Sequence, residues 1–112
     1  MIPRSAVLLR IFIGESDRCG HRPLYEAIVT KAREMQLAGA TVLRGPMGFG
    51  HSSRLHTAKI LRLSGDLPLV IEIVDSEEKI AAFLPALESM VGSALVTTER
   101  VQVVRYGPAA AG

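Results

Sequence analysis

Two short apolar stretches decide the fold of this chain: Ala6-Val7-Leu8-Leu9-Arg10-Ile11-Phe12-Ile13 and Leu69-Val70-Ile71-Glu72-Ile73-Val74. Each stretch has the length of a strand and is rich in the branched and aromatic residues that favour sheets. Gly14 bounds the first stretch on its carboxyl side. Both patterns therefore predict buried strands.

Outward from these stretches, the remaining pattern alternates between helix and strand. Apolar residues recur at helical spacing over 23–38, with Pro23 in the first turn and Gly39 as the expected stop. A second helix is expected from a capping box of Asp75 and Glu78 to Gly92, with a kink at Pro85. Further strands are expected over 40–44, with 47–50 as an open continuation, and over 101–106; a short strand over 59–63 is the weakest prediction.

The order of these elements is strand, helix, strand, long loop, strand, helix, strand. This βαββαβ order predicts an α+β fold, the ferredoxin-like sandwich, with both helices on one face of a four-stranded sheet. We expect one domain over residues 1–112, with its core in 5–106 and a disordered tail over 107–112. The tail prediction follows from its small, featureless residues.

The two central strands are apolar on both of their faces. Leu8 and Phe12 alternate with the other apolar positions of the first strand, and Val70 and Val74 do so in the second. Two helices cover only one side of a sheet, and the other side would leave an apolar patch too large for a typical monomer. The pattern therefore predicts a homo-oligomer that buries the second face.

Composition excludes several classes of protein. Of 112 residues, 48% are hydrophobic and 21% are charged, which is typical of a soluble globular protein and not of a disordered, collagen-like or coiled-coil chain. No apolar run approaches the ~20 residues of a membrane span, and the amino-terminal run, broken by Arg10, does not match a secretory signal. The single cysteine, Cys19, suits a reducing compartment, so we expect a cytoplasmic protein without membrane insertion.

The net charge of +2 does not by itself indicate a nucleic-acid partner, but its distribution suggests an anion site. No acidic residue lies between Glu34 and Asp66, and three of the glycines in that segment, Gly45, Gly48 and Gly50, fall within six residues. Glycines let backbone N–H groups approach an anion closely. Two other interpretations stay open: a solvated basic loop, and glycines that serve a bulge and a tight turn.

No catalytic constellation is evident, and we expect no enzymatic activity. Glu15 and Asp17 are best explained as turn residues, and Ser52 and Ser53 lie near histidines without an orienting third group. His51 and His56, with Cys19 and His21, have no spacing of a structural zinc site, so no metal ligand is assigned. Phe12 is the only aromatic residue of the two central strands, which argues against RNA binding.

A set of motifs along the chain resembles the DUF190 (UPF0166) family of PII-like signalling proteins. The resemblance rests on the following segments: Ile13-Gly14-Glu15-Ser16-Asp17-Arg18, Pro23-Leu24-Tyr25-Glu26-Ala27, Ala38-Gly39-Ala40-Thr41-Val42-Leu43-Arg44-Gly45, Gly48-Phe49-Gly50, Leu67-Pro68 and Val74-Asp75. It extends from about residue 6 to residue 106.

The resemblance implies a homotrimer that binds a small anionic effector, commonly an adenine nucleotide, in clefts between subunits. It also implies that residues 51–66 form a signalling loop that orders on binding and offers a surface to a protein partner such as a transporter. No other cofactor is expected. The residues assigned to the ligand are Thr41, Arg44, Gly48, Phe49, Gly50, His51, Arg54, His56, Gly92 and Arg100.

Arg105 is an alternative source of charge to Arg100. The two lie an odd interval apart on the expected last strand and would face opposite sides, so only one of them would point into a given cleft. We prefer Arg100.

Two other functions stay open at this level. One is a metal-responsive trimer similar to CutA, which would use His51, His56 and Cys19 or His21. The other is an interaction module whose loop binds a protein without any small ligand.

Overall fold

A computed structural model describes residues 2–49, 56–57 and 67–108. Its helices and strands, in chain order, are β1 (Ser5–Gly14), β2 (Arg18–Cys19), β3 (Arg22–Pro23), α1 (Leu24–Glu34), β4 (Thr41–Arg44), β5 (Met47–Gly48), β6 (His56–Thr57), β7 (Pro68–Asp75), α2 (Glu77–Met90) and β8 (Leu95–Gln102). The expected strand over 59–63 and the last four residues of the tail lie outside the described residues.

The main sheet has four strands in the order β4-β7-β1-β8, all paired antiparallel. The two long apolar stretches form its central strands, with Leu9 opposite Ile73 and Ile11 opposite Ile71. The remaining strands form two separate two-stranded sheets, β2–β3 and β5–β6. The ferredoxin-like βαββαβ fold predicted from the sequence is confirmed.

The core lies between one face of the sheet and the two helices. Alternate side chains of β1 and β7 point into it, because side chains in a strand alternate between faces. The buried residues on the sheet side include Leu9, Ile11, Ile71 and Ile73, and those on the helix side include Leu24, Ile28, Ile80, Phe83 and Leu87. We call this side the inner face and the opposite side the outer face.

Helix α1 ends four residues before the predicted boundary. Its last residue is Glu34, and Gln36 adopts a left-handed conformation with φ of 61°. The N–H groups of Gln36 and Leu37 donate to the carbonyls of Arg33 and Ala32, each at 3.0 Å, which is the Schellman pattern. Gln36 therefore takes the position expected of Gly39, because the hydrogen bonds close the helix before the glycine is reached.

Helix α2 begins at Glu77 and its N-cap is Ser76, not Asp75. The Ser76 hydroxyl accepts a hydrogen bond from the Lys79 N–H at 3.2 Å. Asp75 is the last residue of β7 and is buried, with 3% of its surface exposed. The predicted capping box is wrong by one residue, since β7 extends through Asp75. The helix continues through Pro85 to Met90 as one element.

The last strand covers 95–102 instead of 101–106, because it pairs with β1 from Phe12 back to Ser5. Beyond it the chain runs across the end of the sheet, where Val103 N–H donates to the carbonyl of Arg4 at 2.6 Å. The Tyr106 hydroxyl then donates to the carbonyl of Ala38 at 2.8 Å. The 47–50 segment does not extend β4; its first two residues pair with β6.

In the ranges that the structure covers, no helix combines the length and the apolar character that crossing a bilayer requires.

Candidate functional site

The strands β5 and β6 form a two-stranded arm, with Met47 opposite Thr57 and Gly48 opposite His56. The arm leaves the sheet beside Pro68: the Gly45 N–H donates to the Pro68 carbonyl at 2.8 Å. A Cβ atom at Gly45 or at Gly48 would lie 3.1 Å from Cγ of Pro68, which is tighter than nine in ten real Cβ contacts. Close packing on Pro68 therefore favours glycine at both positions, which is a structural reason for these residues apart from any ligand.

Arg44, at the end of β4, is bound to a carboxylate of its own chain. Its Nη2 atom forms an ion pair with Oε2 of Glu15, and the Glu15 N–H donates to the Leu67 carbonyl at 2.8 Å. Asp17 accepts a hydrogen bond from the Gly14 N–H at 2.9 Å. The two acids thus stabilise the turn after β1, which agrees with their interpretation as turn residues.

The structure describes some of the other ligand residues that were predicted at or near the arm. Thr41 begins β4 and is exposed, and the Phe49 side chain is 70% exposed next to the arm. His56 lies in β6. Gly50, His51 and Arg54 lie outside the described residues.

The remaining two predicted residues lie elsewhere in the fold. Gly92 follows α2, and Arg100 lies on β8 opposite Val7. The Arg100 Nη2 atom donates to Oε2 of Glu77 at 3.1 Å, on an exposed surface. The strand β8 is one edge of the sheet and β4 is the other. Within one chain the predicted ligand residues are therefore divided between opposite edges.

A cavity of about 360 Å³ lies where the two terminal segments meet at the end of the sheet; it is lined by Ile2, Arg4, Val103, Val104, Arg105 and Tyr106. The Arg4 guanidinium lies 3.0 Å from the side-chain oxygen of Gln102 when that amide is oriented to accept. Among the described residues, neither Arg4 nor Arg105 forms an ion pair with a carboxylate. The cavity is therefore lined by two arginines, three apolar residues and a tyrosine.

Sequence reasoning did not single out Arg4, and it compared Arg105 with Arg100 on the assumption that both lie on the last strand. Arg105 lies beyond the end of β8, so the strand alternation used to compare it with Arg100 does not apply. Arg4 and Arg105 are far apart in the chain, and only the pairing of β1 with β8 brings them together. No local pattern would have indicated this.

The metal hypothesis gains no support from the described residues. The described ranges contain no group of three or more His, Cys, Asp or Glu side chains placed to hold a metal ion. Cys19 and His21 lie in the β2–β3 hairpin, where Arg18 donates to the His21 carbonyl at 2.7 Å.

The fold is similar to that of PII-like proteins of known structure. CPII, a nitrogen regulatory PII-like protein from Thiomonas intermedia solved with ADP, AMP and bicarbonate, is 19% identical with a TM-score of 0.63, covering 90% of each chain. A protein of Thermus thermophilus described as a PII-like signaling protein is also 19% identical, with a TM-score of 0.65, covering 89% of this chain and 90% of that one. The fold is thus that of a PII-like protein.

The sequence defines the family more narrowly. The profile of DUF190, described as an uncharacterized ACR, matches residues 6–103. A UPF0166 protein of Aquifex aeolicus is 38% identical over 97 residues, covering 87% of this chain and 91% of the relative. A UPF0166 protein of Methanocaldococcus jannaschii is 35% identical over 86 residues, or 77% of this chain and 79% of the relative. The chain belongs to the DUF190 (UPF0166) family.

Proposed function

We propose that this chain is a non-enzymatic, cytoplasmic PII-like signalling protein that binds a small anionic effector, an adenine nucleotide, between the subunits of a homotrimer. The observation that carries this proposal is the cavity formed by Arg4, Arg105 and Tyr106. Two guanidinium groups that pair with no carboxylate in the described part of the chain provide planar pairs of donors that match phosphate geometry. The half-exposed Tyr106 ring beside them offers a surface on which a base would stack.

The division of the predicted site between two sheet edges supports a location between subunits. A copy placed beside this one would bring its arm, with Gly48 and Phe49, to the terminal segments of its neighbour. A single chain leaves these groups apart, since the arm lies beside Pro68 at one end of the central strands and the cavity lies at the other end, where Arg4 meets Val103. The cleft between copies is therefore where the arm and the arginines would contact one ligand.

The choice of ligand is supported by similar structures that contain ADP with AMP or bicarbonate. Both kinds of molecule are anions that guanidinium groups bind through paired hydrogen bonds. Bicarbonate is the small-anion alternative, and it is tested alongside the nucleotides.

Signalling would occur through the loop over 51–66, a segment that includes strand β6 of the arm. Met47 and Phe49 expose 59% and 70% of their surface. Exposed apolar side chains on a projecting segment are suited to contact with a protein. Effector binding at the base would then order the loop and change what a partner, such as a transporter, encounters.

Calorimetric titration with ATP, ADP, AMP, cyclic AMP and bicarbonate tests the proposal. We expect at least one nucleotide to bind, and Arg4→Ala or Arg105→Ala to weaken it about tenfold or more, because each removes a charge-assisted pair of hydrogen bonds. Arg18→Ala is the matched control: it removes the same charge from the β2–β3 hairpin, away from the cavity. Silence across the whole panel would refute the nucleotide hypothesis, and equal losses in all three variants would refute the cavity.

A further inference from the structure

The outer face of the sheet is apolar around a charged centre. Leu8 and Phe12 of β1 lie on it beside Val70 and Val74 of β7, and all four are only partly buried. Leu43 and Leu95, on the two edge strands, are 48% and 60% exposed. Among the described residues no helix covers this face, since both helices pack on the inner one.

The centre of this face is an ion triad of Arg10, Glu72 and Glu99. Arg10 Nε donates to Glu72 Oε2, and Arg10 Nη1 donates to Glu99 Oε1, both at 2.9 Å. The pKa of Arg10 is raised, mainly by the hydrogen bond to Glu72. Desolvation opposes this increase, and the hydrogen bond to Glu99 contributes to it. The guanidinium is therefore charged at any ordinary pH.

The triad has hydrogen-bonding capacity that its own chain does not use. A guanidinium carries five N–H donors, and Arg10 directs only two of them at Glu72 and Glu99 within the described part of the chain. Each carboxylate also keeps one oxygen outside these two bonds. The three side chains are 38%, 32% and 57% exposed, so the unused groups reach the surface.

These unused groups select what can cover the face. An apolar partner would leave N–H donors and carboxylate oxygens buried without partners, which is costly. A second copy of the same face brings both donors and carboxylate oxygens, so it satisfies the triad while its apolar residues cover those around it. Charge complementarity thus favours copies of this chain over an unrelated apolar surface.

We propose that the Arg10–Glu72–Glu99 triad fixes the stoichiometry and register of self-association through the outer face. This rests on the homotrimer of the proposed function and adds the residues that make one arrangement unique. Apolar contact is non-directional, so it favours association without selecting an arrangement. A polar group inside an apolar contact selects the arrangement in which its hydrogen bonds are made.

The experiment compares native mass spectra and light scattering of the intact chain and of the triple variant Arg10→Met, Glu72→Met, Glu99→Met. We expect the parent chain to give one stoichiometry and the triple variant to remain associated but to populate two or more. The control variant Arg22→Met removes an exposed guanidinium that donates to Thr30 Oγ1 of α1 at 3.0 Å, on the helix side of the molecule, and should leave the single stoichiometry unchanged.

Single variants keep the test decisive if the triple variant does not fold. Arg10→Met leaves two adjacent carboxylates without their cation, and we expect the oligomer to dissociate at a concentration at least tenfold higher than the parent does. Arg10→Lys keeps the charge but loses the planar donor pairs, so its dissociation concentration should lie between that of the parent and that of Arg10→Met.

The possible failures are distinguishable. A triple variant with the same single stoichiometry as the parent, or an Arg10→Met variant as tightly associated as the parent, would refute the role of the triad while leaving the homotrimer intact. A parent chain that is monomeric at micromolar concentration would refute the homotrimer itself, and the triad with it.

Discussion

At the scale of single residues, Asp75 has a role that its place in the sequence conceals. Both of its carboxylate oxygens accept hydrogen bonds from backbone N–H groups: Oδ2 from Ala38 at 2.8 Å and Oδ1 from Ser76 at 2.7 Å. One bond closes the start of α2, and the other holds the connection between α1 and β4 against the end of β7. Asp75 therefore joins two connections that are far apart in the chain.

Asp75→Asn should destabilise the protein by about 1–3 kcal/mol, because the amide would direct a donor at one of the two N–H groups and leave it partly buried and unpaired. Urea unfolding followed by circular dichroism measures the change in the free energy of unfolding. Glu78→Ala is the control, because it distinguishes the observed cap at Ser76 from the capping box of Asp75 and Glu78 that the sequence predicted. It should cost less than about 0.5 kcal/mol, since Glu78 is exposed and caps nothing in the structure. A larger loss for Glu78→Ala than for Asp75→Asn would contradict this account.

At the scale of elements, the arm depends on how closely its backbone packs on the start of β7. Gly45 and Gly48 both lie against the Pro68 ring, which belongs to the first residue of that strand. The ring is held by its covalent closure and by the hydrogen bond to its carbonyl, so it has little freedom to move. The glycines are thus explained by packing before any ligand is considered.

Gly48→Ala should lower the free energy of unfolding by about 1 kcal/mol, because the new Cβ would press on Cγ of Pro68. In a Pro68→Ala background the same change should cost less than about 0.5 kcal/mol, since the obstructing atom is gone. A double-mutant cycle in urea measures this coupling. Gly39→Ala is the control, as nothing lies within 4 Å of its added Cβ. Equal costs in both backgrounds would show that packing on Pro68 is not the reason for the glycine.

At the scale of the whole molecule, the sheet has one covered face and one open face. The inner face is closed by α1 and α2, and the outer face remains apolar around the Arg10 triad. A patch of this kind on a small protein typically marks an interface. The proposed homotrimer, and with it the proposed site between subunits, therefore depends on this surface.

Phe12→Glu should dissociate the oligomer without unfolding the chain, because it places a charge on the outer face between Val70 and Leu95. Sedimentation velocity should change from that of the oligomer to that of the 12.1 kDa chain, with the far-ultraviolet circular dichroism spectrum retained. Ala82→Glu is the control, since Ala82 is an exposed residue of α2, the helix that packs on the inner face. An oligomer that survives Phe12→Glu would place the interface elsewhere.

Much of the fold was predictable because its signals are local. The alternation of Leu9 and Ile11 with outward residues has the period of a strand, and the spacing of Ile80, Phe83 and Leu87 has that of a helix. The exact boundaries were less predictable. Gln36 ends α1 by hydrogen bonding that a glycine rule does not foresee, and Ser76 caps α2 because β7 extends one residue further than its apolar run.

Residue types at fixed spacing were enough to predict the order of the main elements, the central strands with two apolar faces, and the family. Which distant side chains come together depends on the folded chain. Arg10 contacts Glu72 and Glu99 because β1 pairs with both β7 and β8, and Arg4 and Arg105 line one cavity because the chain crosses the sheet end after β8. A shift of one residue in either pairing would turn Arg10 and its partners to opposite faces. The periodicity of a sequence indicates which face of the sheet a residue lies on. It does not indicate which residue lies opposite on the next strand, because that depends on how the whole chain packs.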